Sequence, residues 1–135
     1  MDRRNFLIGS AAATVAATMS GTVHANDGST SLPPKNIVFT NDNAGKWKAK
    51  KGSHLPRIEA ADGKITISTK HAQSDEHYIV RHTLLLADGT VVGSTTFTPE
   101  EKPISEYELP SNYTGKIFAT SFCNRHDLWL NEATI

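Results

Sequence analysis

From residue 36 onward the chain runs in short apolar or alternating stretches separated by turn-forming residues, with no long stripe at helical spacing. Stretches of this length and spacing predict β-strands. Ile37–Thr40 is the first, and Ile65–Thr69 alternates apolar and polar positions directly after the Asp62-Gly63 turn. Tyr78–Ala87 and Val91–Phe97 flank Asp88-Gly89, a two-residue hairpin signal whose glycine supplies the positive φ such turns need. Ser105–Leu109 and Lys116–Phe122 complete the set, bounded by Pro103, Pro110 and Gly115. Asn41–Ser53, with Trp47 and four lysines, reads as a loop. Strands at this spacing without helices predict an all-β domain built as an antiparallel β-sandwich.

The first residues follow another pattern. Asp2-Arg3-Arg4-Asn5-Phe6-Leu7 is a paired-arginine segment leading into a mildly apolar run, Leu7–Met19, that is too short and too weak to span a membrane. Val23-His24-Ala25 then offers the small residues of a cleavage site, so residues 1–25 read as a twin-arginine-type signal peptide. A monotopic anchor or a helical tail is the competing reading. Export to the periplasm by the twin-arginine translocase is therefore expected. That route carries folded proteins, often with a cofactor already inserted, which directs attention to metal ligands. Residues 26–35 form a polar, proline-containing tether, and residues 36–135 form a single domain.

Composition narrows the function. Without Arg3, Arg4 and Asp2, the remaining chain has 12 basic and 13 acidic residues. A near-neutral domain has no electrostatic footprint for nucleic acid or for an anionic membrane. Cys123 is the single cysteine, so an exported chain has no internal disulfide and the thiol is either buried and inert or chemically used.

Histidines supply the candidate chemistry. His54, His71, His77, His82 and His126 remain after the signal, and all sit at strand ends, in loops or in a strand. Cys123-Asn124-Arg125-His126 is a Cys-x-x-His pair directly after a strand, where two side chains of one turn can converge on an ion. His71 and His77 bracket the polar loop Ala72–Glu76, and His54 lies in Gly52-Ser53-His54-Leu55-Pro56. The lack of a second cysteine excludes cysteine-rich zinc sites. His82 lies five residues beyond His77 and is expected on the opposite, exposed face.

The order His54-Leu55-Pro56, then His71 through His77-Tyr78-Ile79, then Cys123-Asn124-Arg125-His126-Asp127-Leu128-Trp129 resembles the signature of the superoxide reductases. These are the iron domains of neelaredoxin and desulfoferrodoxin, and the resemblance covers about residues 45–130. It implies an immunoglobulin-like sandwich of about seven strands holding one iron, with His54, His71, His77 and His126 equatorial and Cys123 axial. It also implies one-electron reduction of superoxide to hydrogen peroxide at an open sixth position, fed by an external electron donor. A homo-oligomer is a further expected partner. Neutral imidazoles suit a first-row metal, and a thiolate opposite the open position donates electron density to it.

The chain departs from the family pattern in three places. Gly52-Ser53 stand where Glu-Lys is common, so the lysine that guides an anionic substrate is missing and Lys51, or its neighbour Lys50, is the expected substitute. Ala72-Gln73 replace Pro-Met, with an expected effect on loop packing alone. Asp127 stands where glycine is usual, and so bears on turn strain and on the charge near the site.

Two other classes stay open on the residues themselves. A cupredoxin-like electron carrier also needs a sandwich with an upstream histidine and a Cys-x-x-His pair, although Met1 and Met19 are the only methionines and neither follows His126. A non-enzymatic binding or sulfur-carrier domain would use Cys123 alone.

Overall fold

A computed structural model of the chain describes residues 35–135. The signal segment and all of the tether but its last residue lie outside the described residues. The described part contains eight strands: β1 (Val38–Phe39), β2 (Arg57–Ala61), β3 (Lys64–Ser68), β4 (Ile79–Leu86), β5 (Val91–Thr96), β6 (Ile104–Glu108), β7 (Lys116–Cys123) and β8 (Asp127–Thr134). One sheet has the order β1-β8-β7-β4-β5 and the other β2-β3-β6. Their facing apolar positions close the sandwich: Ile65 and Ile67 of β3 pack on Leu84 and Leu86 of β4 and on Ile117 and Ala119 of β7. Burial of each such side chain is worth roughly 2 kcal/mol.

All-β architecture and sandwich layering are as the sequence predicts, and the six predicted strands occur within a residue or two of their expected ends. Two further strands were not legible. β2 is an edge strand of pattern Arg-Ile-Glu-Ala-Ala with only Ile58 packed on the core, so it carries no alternation. β8 follows the Cys-x-x-His turn at once, and its pairing with β7 along the whole strand length defines it. The β1–β8 pair is parallel, the one exception to antiparallel pairing among the described strands.

The lysine-rich segment is not a loop. Gly45–Lys50 forms a 3-10 turn that continues into a one-turn helix, α1 (Lys51–His54). It is too short to show helical periodicity, and its place is set by packing of Trp47 and Leu55 on a second apolar cluster of Phe39, Ala44 and Trp129. Pro56 ends it, since the residue before a proline is driven out of helical space and Leu55 is extended at ψ 122°. The β4–β5 tip is also longer than two residues: Leu86 N–H bonds to Thr90 O at 2.8 Å, leaving Ala87-Asp88-Gly89 at the turn with Gly89 at φ +87°.

His82 is fully buried, contrary to the exposed position expected from alternation. The ladder between β4 and β7 slips between Ile79 and Arg81, and this bulge adds a residue to β4. Parity changes at that point, so Ile79 and His82 both point inward while Arg81 faces solvent.

Candidate metal centre

One end of the sandwich gathers four segments: α1, the loop from His71 to His77, the end of β7, and the tight turn into β8. Cys123 is the last residue of β7, fully buried with Ile79 and Phe97. The turn reverses sharply at Asp127, which has φ +65° and directly opposes Cys123 in the β7–β8 ladder. That left-handed backbone is what favours glycine at this position. Here the Asp127 carboxylate accepts the Trp47 Nε1–H at 3.0 Å, and the Trp47 ring meets His126 edge-on at 4.6 Å. Asp127 thus holds Trp47 against His126, and its negative charge also acts on His126, where it raises the pKa against the lowering by burial.

Asn124 secures the other side. Its Oδ1 accepts the Tyr78 N–H at 3.0 Å, its Nδ2 donates to Glu76 O at 3.1 Å, and its own N–H bonds to Tyr78 O at 3.2 Å. These bonds staple the loop carrying His77 onto the turn carrying His126. The sequence showed Asn124 inside the motif without a role, and its cross-loop partners depend on the fold. Trp129 donates from Nε1 to His126 O at 2.9 Å and fixes the turn from beneath.

Ligand-type atoms of His54, His77, Cys123 and His126 all lie within 4.8 Å of one another. His126 Nδ1 is 3.0 Å from His77 Nε2, 3.1 Å from His54 Nε2 and 3.8 Å from Cys123 Sγ. His71 joins at the edge, with its Nε2 3.2 Å from His77 Nε2. The nitrogens of His71, His77, His126 and His54 therefore follow one another around a ring at 3.2, 3.0 and 3.1 Å. Two nitrogens held at right angles about 2.1 Å from one ion stand about 3.0 Å apart.

Protons decide whether the ring holds itself together. His54 Nδ1 is 3.0 Å from Lys50 O, and a carbonyl only accepts, so the proton is on Nδ1 and Nε2 is a bare lone pair. Ser53 Oγ stands 2.8 Å from the same Nδ1, which gives the departing Gly52-Ser53 pair a local part in orienting His54. His71 Nδ1 is engaged by Gln73, and the expectation that Ala72-Gln73 affect loop packing alone is therefore too narrow. With Nδ1 protonated on His54 and His71, both of their Nε2 lone pairs face the ring and are open to a cation. The donor set fits a first-row metal ion, with imidazole nitrogens and one sulfur converging from four segments.

Burial lowers the pKa of His54 to about 4, with smaller downward contributions from the charges of His71, His126 and His77. For His71, His77 and His126 desolvation is again the leading cause, and Lys50 lowers all three further through its charge. The imidazoles are thus neutral at neutral pH, as ligands must be. Lys51 is not brought to the cluster: its ammonium lies 3.5 Å from Asn41 O. His82 also lies outside the cluster, bonded to Thr69 and Ser105 in the core.

The family model described as Desulfoferrodoxin matches residues 44–132. The chain belongs to the desulfoferrodoxin family. A superoxide reductase of Pyrococcus abyssi (strain GE5 / Orsay) is 32% identical over 109 residues, covering 68% of this chain and 93% of the relative. One from Thermococcus kodakarensis (strain ATCC BAA-918 / JCM 12380 / KOD1) is also 32% identical over 109 residues, with the same coverage of 68% and 93%. Among solved structures, the superoxide reductase (neelaredoxin) from Ignicoccus hospitalis superposes with a TM-score of 0.64 at 26% identity, covering 73% of this chain and 93% of that one. The desulfoferrodoxin match begins at Ala44 and so takes in α1 and every strand from β2 to β7, with most of β8.

Proposed function

We propose that the protein is a one-iron superoxide reductase in which His54, His71, His77, His126 and Cys123 hold the metal. The observation that carries this reading is the ring of imidazole nitrogens at 3.0–3.2 Å, with the protons of His54 and His71 turned outward, beside a buried cysteine sulfur. Ferrous iron, when bound, supplies the electron and the site at which superoxide is reduced. The balance is superoxide plus one electron plus two protons giving hydrogen peroxide, and an external one-electron donor restores the electron.

The chain's own residues do the rest. Cys123 is fully buried while His77 and His126 are half-exposed, so the sulfur approaches from the core side and solvent reaches the histidine side. Lys50 takes the part of the missing guiding lysine, because its charge is felt at His71, His77 and His126. Lys51 faces Asn41 instead. An anion approaching this end meets a positive local field although the domain as a whole is near neutral.

Anaerobic loading of the full chain with ferrous iron followed by a superoxide pulse tests the reading. The expected result is one iron per chain, one hydrogen peroxide per superoxide and no oxygen evolved. The rate constant falls with rising salt, and Lys50→Gln lowers it by roughly 10-fold at low ionic strength while Lys51→Ala leaves it unchanged. Copper retained in preference to iron would assign the site to an electron carrier, and no stoichiometric metal would make it a binding domain. Oxygen release would mark dismutation.

The N-terminal segment supports export by the twin-arginine translocase to the periplasm, on the strength of Arg3-Arg4 and Val23-His24-Ala25. Double replacement Arg3→Lys with Arg4→Lys is expected to leave the protein in the cytoplasm of a cell fraction assay. Normal periplasmic recovery of that variant would refute this route.

A further inference from the structure

Gln73 makes an unusual set of contacts for a loop residue. Its Oε1 accepts the Ile79 N–H at 2.8 Å, and its Nε2 donates to the Ile79 carbonyl at 3.3 Å. A reciprocal pair with one backbone residue fits only one orientation of the amide. Flipping it would set NH₂ against N–H and oxygen against oxygen. The atom that His71 Nδ1 meets at 3.0 Å is that same Oε1. An amide oxygen only accepts, so His71 Nδ1 must carry the proton and its Nε2 must be bare.

We infer that Gln73 is a positioning residue that fixes the His71 tautomer and aims its Nε2 into the ligand ring. The anchor is well chosen mechanically. Ile79 pairs with Cys123 across the β4–β7 ladder and is fully buried against it. Gln73 therefore ties the imidazole of His71 to the rung that carries the cysteine sulfur. A histidine ligand normally has its second nitrogen held by a carbonyl, carboxylate or water, and such partners set its orientation and basicity. His54 has Lys50 O for this purpose, and His71 has the Gln73 side chain, beside a smaller contribution from the Ala72 backbone.

The inference rests on His71 being a ligand, so its test has one arm that needs no metal. In the metal-free full chain, long-range ¹⁵N–¹H correlation spectra report each histidine tautomer. Wild type is expected to show His71 as the Nδ1–H form. Gln73→Met, of similar length but without an acceptor, is expected to show a mixture or the Nε2–H form, and Gln73→Glu, which keeps the acceptor for His71 while losing the donor to Ile79 O, to retain the Nδ1–H form. In the iron-loaded full chain, transfer of iron to a competing chelator is expected to speed up by roughly 10- to 100-fold in Gln73→Met and by clearly less in Gln73→Glu.

An unchanged His71 tautomer together with unchanged iron transfer in Gln73→Met would overturn the inference. Equal losses in Gln73→Met and Gln73→Glu would overturn it too, since they would mean loop packing alone. If wild type itself retained no iron, the ligand reading would fail while the tautomer spectra still decided the role of Gln73. Gln73→Leu serves in place of Gln73→Met if that variant does not fold.

Discussion

Cys123→Ser is expected to remove the sulfur-to-iron charge-transfer band of the oxidised protein and to slow superoxide reduction by more than about 100-fold, since even outer partners of a ligand are worth 10–100-fold. The change is one atom in a site with no slack. Cys123 is fully buried among Ile79 and Phe97, its sulfur is 3.8 Å from His126 Nδ1, and serine is small enough to leave the β7–β8 rung intact. Folding should survive, so circular dichroism and the melting curve separate loss of the ligand from loss of the domain. Serine oxygen is a poorer electron donor than thiolate sulfur, and the midpoint potential of the metal should shift with it. A band that persists in the variant would mean that the sulfur is not a ligand. In that case the ring of histidines would have to hold its metal alone.

Much of this site was readable as chemistry before any fold was known. Cys-x-x-His after a strand, a pair of histidines around a polar loop, and a histidine two residues before a proline are all patterns that place candidate ligands at strand ends or in loops. What the residues could not show is how each imidazole is held. Asn124, Trp47 and Asp127 act across sequence separations of 46 to 80 residues, and such contacts leave no local pattern, while the bonds of Gln73 are short-range but depend on the shape of its loop. Gln73 was readable only as a departure from a family pattern, and Asp127 as a charge near the site, which it is at His126, while its bond from the Trp47 N–H was not readable.

The same limit explains the errors in secondary structure. Hydrophobic alternation finds strands that bury one face, which is why β3, β4 and β7 were legible. It fails for β2, whose side chains are mostly exposed, and for β8, which begins directly after the ligand turn and fully buries only Trp129. It also fails at a bulge. A single additional residue in β4 reverses the inward parity, and alternation then assigns His82 to the wrong face.

His82 supplies the other large effect, this time on stability. Its Nδ1 is 2.9 Å from Ser105 Oγ and its Nε2 is 2.8 Å from Thr69 Oγ1, which lies 3.0 Å from Ser121 Oγ. All four residues are buried, and the bonds join β6, the end of β3 and both central strands of the large sheet. Such a network is favourable while complete and expensive when broken, because each orphaned group has already lost its water. His82→Ala removes the ring, leaves a cavity beside Phe97, and strands the Ser105 hydroxyl, so a loss of about 3–5 kcal/mol is expected in urea unfolding.

Acid should produce part of the same loss without any mutation. Burial depresses the His82 pKa to about 4, well below the ordinary 6.5. Between these values the unfolded chain binds the proton and the folded chain does not, so stability falls as pH drops below about 6.5 and levels off below about 4. From pH 7 to pH 5 the contribution of His82 is roughly 2 kcal/mol. His82→Gln removes the titration while keeping one donor and one acceptor, and comparison of the iron-loaded wild type and this variant at both pH values isolates the term. Parallel pH profiles for the two proteins would show that His82 is protonated in the folded core and that the network tolerates its charge. The outcome reaches the metal centre as well, since Thr69 lies two residues before His71 and accepts its N–H at 2.8 Å, and Ser121 lies two before Cys123 on the same inward face of β7. A core that loosens in acid therefore loosens next to two of the ligands.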